Sequence, residues 1–338
     1  MRTELERPTL SVGQKVVFGL VYGVVYGLST LPFSLWYGLS RGIAWVLRVL
    51  VKYRKEVILQ NLSDSFPEKS PDEIQLLARL FYQHFADFLV ETVKSVSISE
   101  EELRRRVHLI NPEVIDAIVA QPEGHLLVAT HFGNFEWMES RLALASRERV
   151  TSYGIYSPLR SWIFDELTFR MRTRFGVTLL PMRYAMIQAI RALKTHSFFG
   201  FINDQSPHHG QRLYFTPFLH QATPYHASVA KIGLKTGANM YYADMRKVKR
   251  GYYTLEIVPI DTTAFLPYTQ ENIYRLTDHQ ASLLEATIQA QPAYWLWSHR
   301  RWKHKPRPGD ILSTQFSSSK IVSIEAESED IKGKEGNV

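Results

Sequence analysis

The sequence contains no cysteine. That removes a thiol nucleophile, a thiolate metal site and any disulfide framework, and it leaves no mark of an oxidising compartment. A reducing cytosol fits such a chain. Charge is also missing over one long stretch: residues 16–40 are 25 consecutive positions without an acidic or basic side chain, bracketed by Lys15 and Arg41. No small-residue cleavage site comes after a short apolar stretch, which speaks against a removable signal peptide. No internal repeat is visible. The 338 residues suffice for a substantial buried core and one or two domains.

The uncharged run is long enough to cross the hydrocarbon core of a bilayer. Gly19, Gly23, Gly27 and Pro32 interrupt it, however, and Tyr22, Tyr26, Trp36 and Tyr37 suit a membrane interface. A buried helical hairpin of a soluble domain is the competing reading. Arg41, Arg48, Lys52, Arg54 and Lys55 follow the run with no acid until Glu56, so the positive-inside rule places that flank and the chain beyond it on the cytoplasmic side. We therefore expect a membrane anchor or interfacial helices over residues 1–50. The formal charge of +7 points to an anionic partner. The 17 Tyr, 18 Phe and 7 Trp are spread through hydrophobic and basic segments alike, which suits a lipid interface better than a nucleic-acid groove.

Residues 53–110 read as helical. Ile74, Leu77, Ala78, Leu80, Phe81, Phe85, Phe88 and Leu89 recur with helical period after the start signal Ser70-Pro71-Asp72-Glu73. From about residue 124 short apolar runs alternate with helical ones. Strands are expected at 126–130, 152–156, 177–180, 198–202, 240–243 and 253–259. Helices are expected from Phe135 and over 162–175, 185–193, 226–236 and 271–289. Such alternation predicts an α/β sheet flanked by helices. Residues 51–312 form the expected catalytic domain, and the polar stretch 313–338 reads as a disordered tail.

The strongest chemical constellation is Ala129-Thr130-His131-Phe132-Gly133-Asn134-Phe135-Glu136-Trp137. A strand would deliver His131 to its carboxyl end, where open α/β sheets bind ligands. Gly133 permits an unusual turn, and Asn134 is a good N-cap. Glu136, in the first helical turn, is expected to fold back onto the imidazole. An imidazole held by a carboxylate takes a proton from a hydroxyl. A capping arrangement with an incidental histidine fits the same residues. Gly38-Leu39-Ser40-Arg41-Gly42 matches the nucleophile-elbow pattern, but it joins two apolar helical stretches rather than a core strand and a helix. His208-His209 lacks an accompanying ligand set, so no metal site is expected. The run Arg300, Arg301, Lys303, Lys305 and Arg307, with Trp302 and His304 between, suits RNA, anionic lipid or the phosphates of a donor; the hydrophobic N-terminus favours lipid.

The segment from His131 to Glu136 resembles the His-x-x-x-x-Asp/Glu motif of the glycerolipid acyltransferase superfamily. Within it the chain resembles the lipid A late (lauroyl/myristoyl) acyltransferases over roughly residues 28–308. Tyr53-Arg54-Lys55-Glu56-Val57 with Asn61-Leu62 and Ser65-Phe66-Pro67, then Phe81-Tyr82 and His84-Phe85, match the family's early helices. Arg174-Phe175-Gly176, Asp204-Gln205-Ser206-Pro207, Phe218-Leu219, Gln221 and Thr223-Pro224 match later segments. Tyr294-Trp295-Leu296-Trp297 leading to His299-Arg300-Arg301-Trp302-Lys303 matches the carboxyl-terminal signature. The family's Tyr-Arg-Pro turn is here Tyr156-Ser157-Pro158, with Arg160 two residues on.

The resemblance implies an αβα fold like that of glycerol-3-phosphate acyltransferase, placed on the cytoplasmic face of the inner membrane. It also implies transfer of a fatty acyl chain from an acyl carrier protein or coenzyme A to a hydroxyl of a lipid A precursor or related glycolipid. His131 and Glu136 would be catalytic. Asn134, Arg174, Asp204, Arg300 and Arg301 would bind substrate, with Asp204 alternatively supporting the histidine or capping its loop. No metal, cofactor or nucleic acid is expected. A lysophospholipid or ornithine-lipid acyltransferase, a membrane esterase using Ser40, and a non-catalytic lipid-binding module are the alternatives.

Overall fold

The computed structural model describes residues 9–147, 149–207 and 212–316. The uncharged N-terminal run folds as two helices instead of one continuous span. Helix α1 (Val12–Thr30) opens on a capping box in which Ser11 Oγ accepts from the Gln14 amide and the Gln14 side chain accepts from the Ser11 amide. Pro32, with its fixed φ and no N–H, breaks the run, and α2 (Phe33–Trp45) restarts behind it. With 19 residues α1 is about 28 Å long, and by length and composition it can cross a membrane. Only Phe18 and Ser29 of it are buried. A π-helical turn, Val46–Leu50, continues α2.

Three helices follow. They are α3 (Lys55–Ser65), α4 (Pro71–Lys94) and α5 (Glu100–Arg106). The expected start of α4 is present, with Ser70 and Glu73 forming a reciprocal cap. Strand β1 (Val107–Leu109) and α6 (Pro112–Ala120) come next.

The alternating region runs β2 (His125–Ala129), α7 (Phe135–Ser146), β3 (Thr151–Tyr156), α8 (Trp162–Thr173), β4 (Val177–Pro181), α9 (Ala185–Ala192) and β5 (Ser197–Ile202). After β6 (Tyr214–Phe218) and β7 (Gln221–Tyr225) come α10 (Ser228–Thr236), β8 (Asn239–Lys249), β9 (Tyr252–Ile260), α11 (Gln270–Ala290) and β10 (Ile311–Leu312).

Seven strands form one mixed sheet in the order β1-β9-β8-β2-β5-β3-β4. β2 lies at its centre, parallel to β5 and β8 on either side. The β8–β9 hairpin is antiparallel, and β1 runs parallel to β9. All five residues of β2 are buried, so its alternating side chains supply two separate cores. Leu127 and Ala129 pack with Trp137, Met138, Leu142 and Tyr253 on one face. Leu126 and Val128 pack with Phe199, Phe201, Val229 and Leu276 on the other. A third core gathers Trp295, Trp297 and Trp302 against Phe81, Phe132 and Phe218.

The small second sheet, β10-β6-β7, is absent from the sequence reading. It also moves the expected end of the folded body. Ile311 and Leu312 pair with β6, the Ser313 hydroxyl donates to Asp278 over 2.7 Å, and Phe316 is buried against Leu213 and Phe215. Packing thus extends to Phe316, past the boundary expected at residue 312; the rest of the expected tail, 317–338, lies outside the described residues.

Candidate active site

His131 sits just beyond the carboxyl end of β2, and Asp204 just beyond that of the neighbouring parallel strand β5. The Asn203 amide donates to the Ala129 carbonyl over 3.1 Å and extends the ladder to this point. The two side chains, 73 residues apart in sequence, meet: His131 Nδ1 lies 2.7 Å from Asp204 Oδ1. The other carboxylate oxygen accepts the His131 backbone amide at 2.9 Å and the Trp295 indole N–H at 2.8 Å. Burial alone would push the Asp204 carboxyl up, but the His131 charge and hydrogen bonds and the Trp295 indole outweigh it and hold the group below the usual carboxylate range. An ionised carboxylate only accepts, so Nδ1 carries a proton, and in the neutral imidazole Nε2 is the nitrogen that holds the lone pair. Nε2 is 3.2 Å from the Gln205 side-chain amide.

The strand-to-helix turn is fixed from both sides. Gly133 adopts φ +61°, and a Cβ there would stand 3.2 Å from Met245 Sδ, so a side chain is both strained and crowded. Its amide donates to the Tyr294 carbonyl over 2.9 Å. Asn134 is the expected N-cap: Oδ1 accepts the Trp137 amide at 3.0 Å, while Nδ2 donates to the buried Glu91 at 2.7 Å. Tyr253 and Tyr37 also donate to Glu91. Asn134 therefore faces the protein interior and shapes the turn, not the substrate space.

Glu136 does not reach the imidazole. Its carboxylate takes a two-point ion pair from Arg172 of α8, with distances of 2.6 and 3.0 Å. Arg172 was not singled out from the sequence. Arg174, which was, donates to the Ser95 carbonyl at 2.9 Å and stacks on Phe175, away from the cavity. Arg300 is exposed. Arg301 is 0 % exposed, its guanidinium 4.6 Å from the centre of the Tyr225 ring. Its nitrogens make no hydrogen bond among the described residues, and burial lowers its pKa against the opposing pull of Tyr225 and Asp204. It is a buried cation behind the His131–Asp204 pair and not part of a lipid-facing strip. His299, beside it, accepts the Ser206 amide at 3.1 Å and is pushed down to about 4 by burial first and by Arg301 second.

A cavity of about 590 Å³ opens at His131, a size typical of small-molecule sites. His131, Glu136, Arg172 and Gln205 line it together with the apolar side chains of Leu127, Met138, Leu142, Ile155, Val177 and Phe198. Glu139 also lines it, and burial pushes this carboxyl up to about 7, against the pull of Arg172 and with a further push from Glu136. Gly154 makes room for it: a Cβ there would sit 2.1 Å from Glu139 Oε1. A basic, oriented nitrogen at the mouth of an apolar cavity can deprotonate a hydroxyl while an alkyl chain lies beside it.

Ser40 has no place in this cavity. It is fully buried in α2 and donates to Asp87 over 2.6 Å, with Arg250 donating to it. His208 and His209 lie outside the described residues.

A model of the bacterial lipid A biosynthesis acyltransferases matches residues 6–304. The chain is similar to the lipid A biosynthesis lauroyltransferase of Escherichia coli (strain K12), with 22 % identity over 285 residues that cover 84 % of this chain and 90 % of the relative. It is also similar to the lipid A biosynthesis palmitoleoyltransferase of the same organism and to a lipid A biosynthesis acyltransferase of Shigella flexneri. Each is 24 % identical over 292 residues, or 86 % of this chain and 91 % of the relative.

Proposed function

Since the chain belongs to the bacterial lipid A biosynthesis acyltransferase family, we propose that it moves a fatty acyl chain from a thioester donor to a hydroxyl of a lipid A precursor, with His131 as general base and Asp204 as its positioning partner. The observation that carries this reading is the 2.7 Å contact between His131 Nδ1 and Asp204 at the mouth of the apolar cavity. The sheet with its flanking helices is read as the glycerol-3-phosphate-acyltransferase-like scaffold, and residues 1–50 as the part that meets the cytoplasmic face of the inner membrane.

In this mechanism the acceptor hydroxyl takes the place beside His131 Nε2 that faces the Gln205 amide. Nε2 removes its proton as the oxygen attacks the thioester carbonyl. The negative charge that forms on the carbonyl oxygen is met by preorganised donors, a role open to the Gln205 amide, 3.2 Å from Nε2. Collapse of the tetrahedral intermediate breaks the carbon–sulfur bond, and the leaving thiolate recovers the proton from the imidazolium. The chain makes no covalent bond to the acyl group. The donor is an acyl carrier protein or coenzyme A thioester, whose alkyl chain lies along the apolar lining of the cavity. The Glu136–Arg172 pair lines the same cavity, where Arg172 can meet an anionic group of acceptor or donor.

Transfer of a labelled acyl group from acyl carrier protein to a lipid A precursor tests the proposal. His131→Ala is expected to lower kcat by roughly 10²–10⁴-fold, the usual contribution of a positioned base, with the fold intact by circular dichroism. Transfer at the wild-type rate would sink the mechanism.

A further inference from the structure

A second cavity, which shares no lining residue with the first, lies between the π-helical turn, α3 and α4. Its volume is about 240 Å³, and it is lined by Arg48, Lys52, Lys55 and Arg79 together with Gln75 and Tyr82. No carboxylate lines it, and none of the four cations forms an ion pair among the described residues. Four uncompensated positive charges around one small hollow repel one another, an arrangement that an anion relieves.

The backbone that presents them is unusual. The chain leaves α2 through a π-helical turn, and the Tyr53 amide donates to the Leu47 carbonyl over 2.8 Å. Lys52 and Arg54 both lie in the left-handed region, at φ 50° and 48°. Two non-glycine residues there within three positions is a strained way to join two helices. Arg54 is held by its own contact, donating to the Ser298 carbonyl at 2.8 Å. Lys52 lines the hollow, with Lys55 at the start of α3.

Val49 and Leu59 also line the hollow, and the exposed apolar residues that neighbour its cations along the chain identify the class of ligand. Leu50 and Val51 are 63 % and 60 % exposed beside Lys52, and Leu76 and Leu80 are 54 % and 42 % exposed on either side of Arg79. An acidic protein partner gains little from such exposed apolar neighbours. A lipid whose phosphate enters the hollow while its acyl chains lie along the leucines and valines uses both features. The hollow also comes directly after the hydrophobic helices α1 and α2. At this volume it takes a phosphate with its glycerol fragment, and the chains remain outside.

We propose that this cavity binds the phosphate of an anionic membrane phospholipid, a headgroup site separate from the catalytic cavity. It rests on the membrane placement proposed above and goes beyond it in naming residues and ligand. Its role would be to fix the height and tilt of the catalytic domain on the bilayer.

The full chain in non-ionic detergent micelles is exposed to a photoreactive phosphatidylglycerol analogue or its phosphatidylcholine counterpart, and labelled peptides are mapped by mass spectrometry. Labelling of peptides from residues 46–82 by the phosphatidylglycerol probe is expected, with about a tenfold loss in the Lys52→Glu/Arg79→Glu double variant. The milder Lys52→Gln/Arg79→Gln variant is expected to lose less, and circular dichroism reports folding of both. Equal labelling by the phosphatidylcholine probe, or unchanged labelling in the double variant, overturns the site. Displacement by millimolar inorganic phosphate would make it a free-phosphate site, and displacement by acyl carrier protein would make it a donor dock; either result also overturns the lipid assignment. Acyl transfer by the same variants is measured with donor and acceptor in detergent. Loss of labelling with transfer retained therefore separates this site from the transferase reading.

Discussion

Replacing Asp204 by Asn preserves its shape but removes the charge that holds the Nδ1 proton of His131. The wrong imidazole tautomer then becomes accessible, and kcat is expected to fall by about 10²–10⁴-fold with little change in KM. The loss is not expected to add to that of His131→Ala, because both residues serve one proton transfer. Glu136→Gln is expected to act differently: it frees Arg172 and disturbs the polar lining of the cavity, so KM for the acceptor should rise more than kcat falls. If Glu136→Gln copies Asp204→Asn in kcat, the assignment of partner is reversed. The sequence marked His131, the Asn134 cap and Gly133 because their roles are local. It pointed to Glu136 as the partner because Glu136 is near in sequence, whereas Asp204 arrives from the adjacent strand. Arg172 and Arg174 show the same limit on a smaller scale: two residues along a helix is a rotation of about 200°, so one enters the cavity and the other reaches Ser95. Glu139 offers a pH test. Its carboxyl is raised from the ordinary 4.5 to about 7, so the folded chain holds a proton there that the unfolded chain has released. The stability from this group is present below about pH 4.5 and is lost as pH rises through about 7. Glu139→Gln should flatten that part of a urea-unfolding series between pH 5 and about 7.5, and an unchanged slope would contradict the shift.

At the scale of elements, the parallel strands and their helices were readable because each is a short apolar run or a 3.6-period run bounded by polar turns. β6 and β7 were not, because Pro217 and Pro224 sit inside them and proline weakens any strand reading. Their pairing is fixed by tertiary contacts instead: Phe218 stacks on Trp302, and Trp302 Nε1 donates to Thr223 over 2.7 Å. β10 is only two residues long and leaves no periodic trace. Its anchoring nonetheless has a measurable consequence. A chain ending at Phe316 is expected to unfold within a degree or two of the full chain by thermal scanning. A chain ending at Asp310 loses β10, the Ser313–Asp278 hydrogen bond and the buried Phe316 ring. Burial of that ring alone is worth about 1.5–3 kcal/mol, and an unfolding midpoint lower by several degrees is expected. Equal midpoints for the two truncations would mean that the last strand contributes no stability.

For the whole molecule, the N-terminal helices combine two features that the sequence presented as alternatives, an open apolar surface and buried contacts to the body of the fold. Their outer face is apolar and open, with Leu20, Val24, Leu35 and Leu39 each more than half exposed at 70 %, 64 %, 59 % and 53 %. Their inner face is bound to the body by buried polar groups. Lys94 Nζ donates to the carbonyls of Ser29 and Leu31, Tyr37 donates to Glu91, and Arg250 reaches Asp87 and the Tyr37 carbonyl. Deleting residues 1–45 would strip both carbonyl acceptors from the buried Lys94, the Tyr37 donor from Glu91, and Ser40 and the Tyr37 carbonyl from Asp87 and Arg250, and it would uncover Trp137, against which Phe33 packs. The truncated chain is therefore expected to aggregate and lose activity instead of becoming a soluble transferase. Changing the outer face alone is the cleaner test of membrane association. Leu20→Ser, Val24→Ser, Leu35→Ser and Leu39→Ser together leave every inner contact in place. This variant is expected to stay folded and to keep transfer to detergent-solubilised acceptor within about threefold, because no substituted residue lines the catalytic cavity. Its share in the membrane pellet after ultracentrifugation should fall, and high salt should release more of it, since only screened attraction between cations and lipid remains. A variant that sediments with membranes like the wild type in both low and high salt would place the membrane contact on some other face of the molecule.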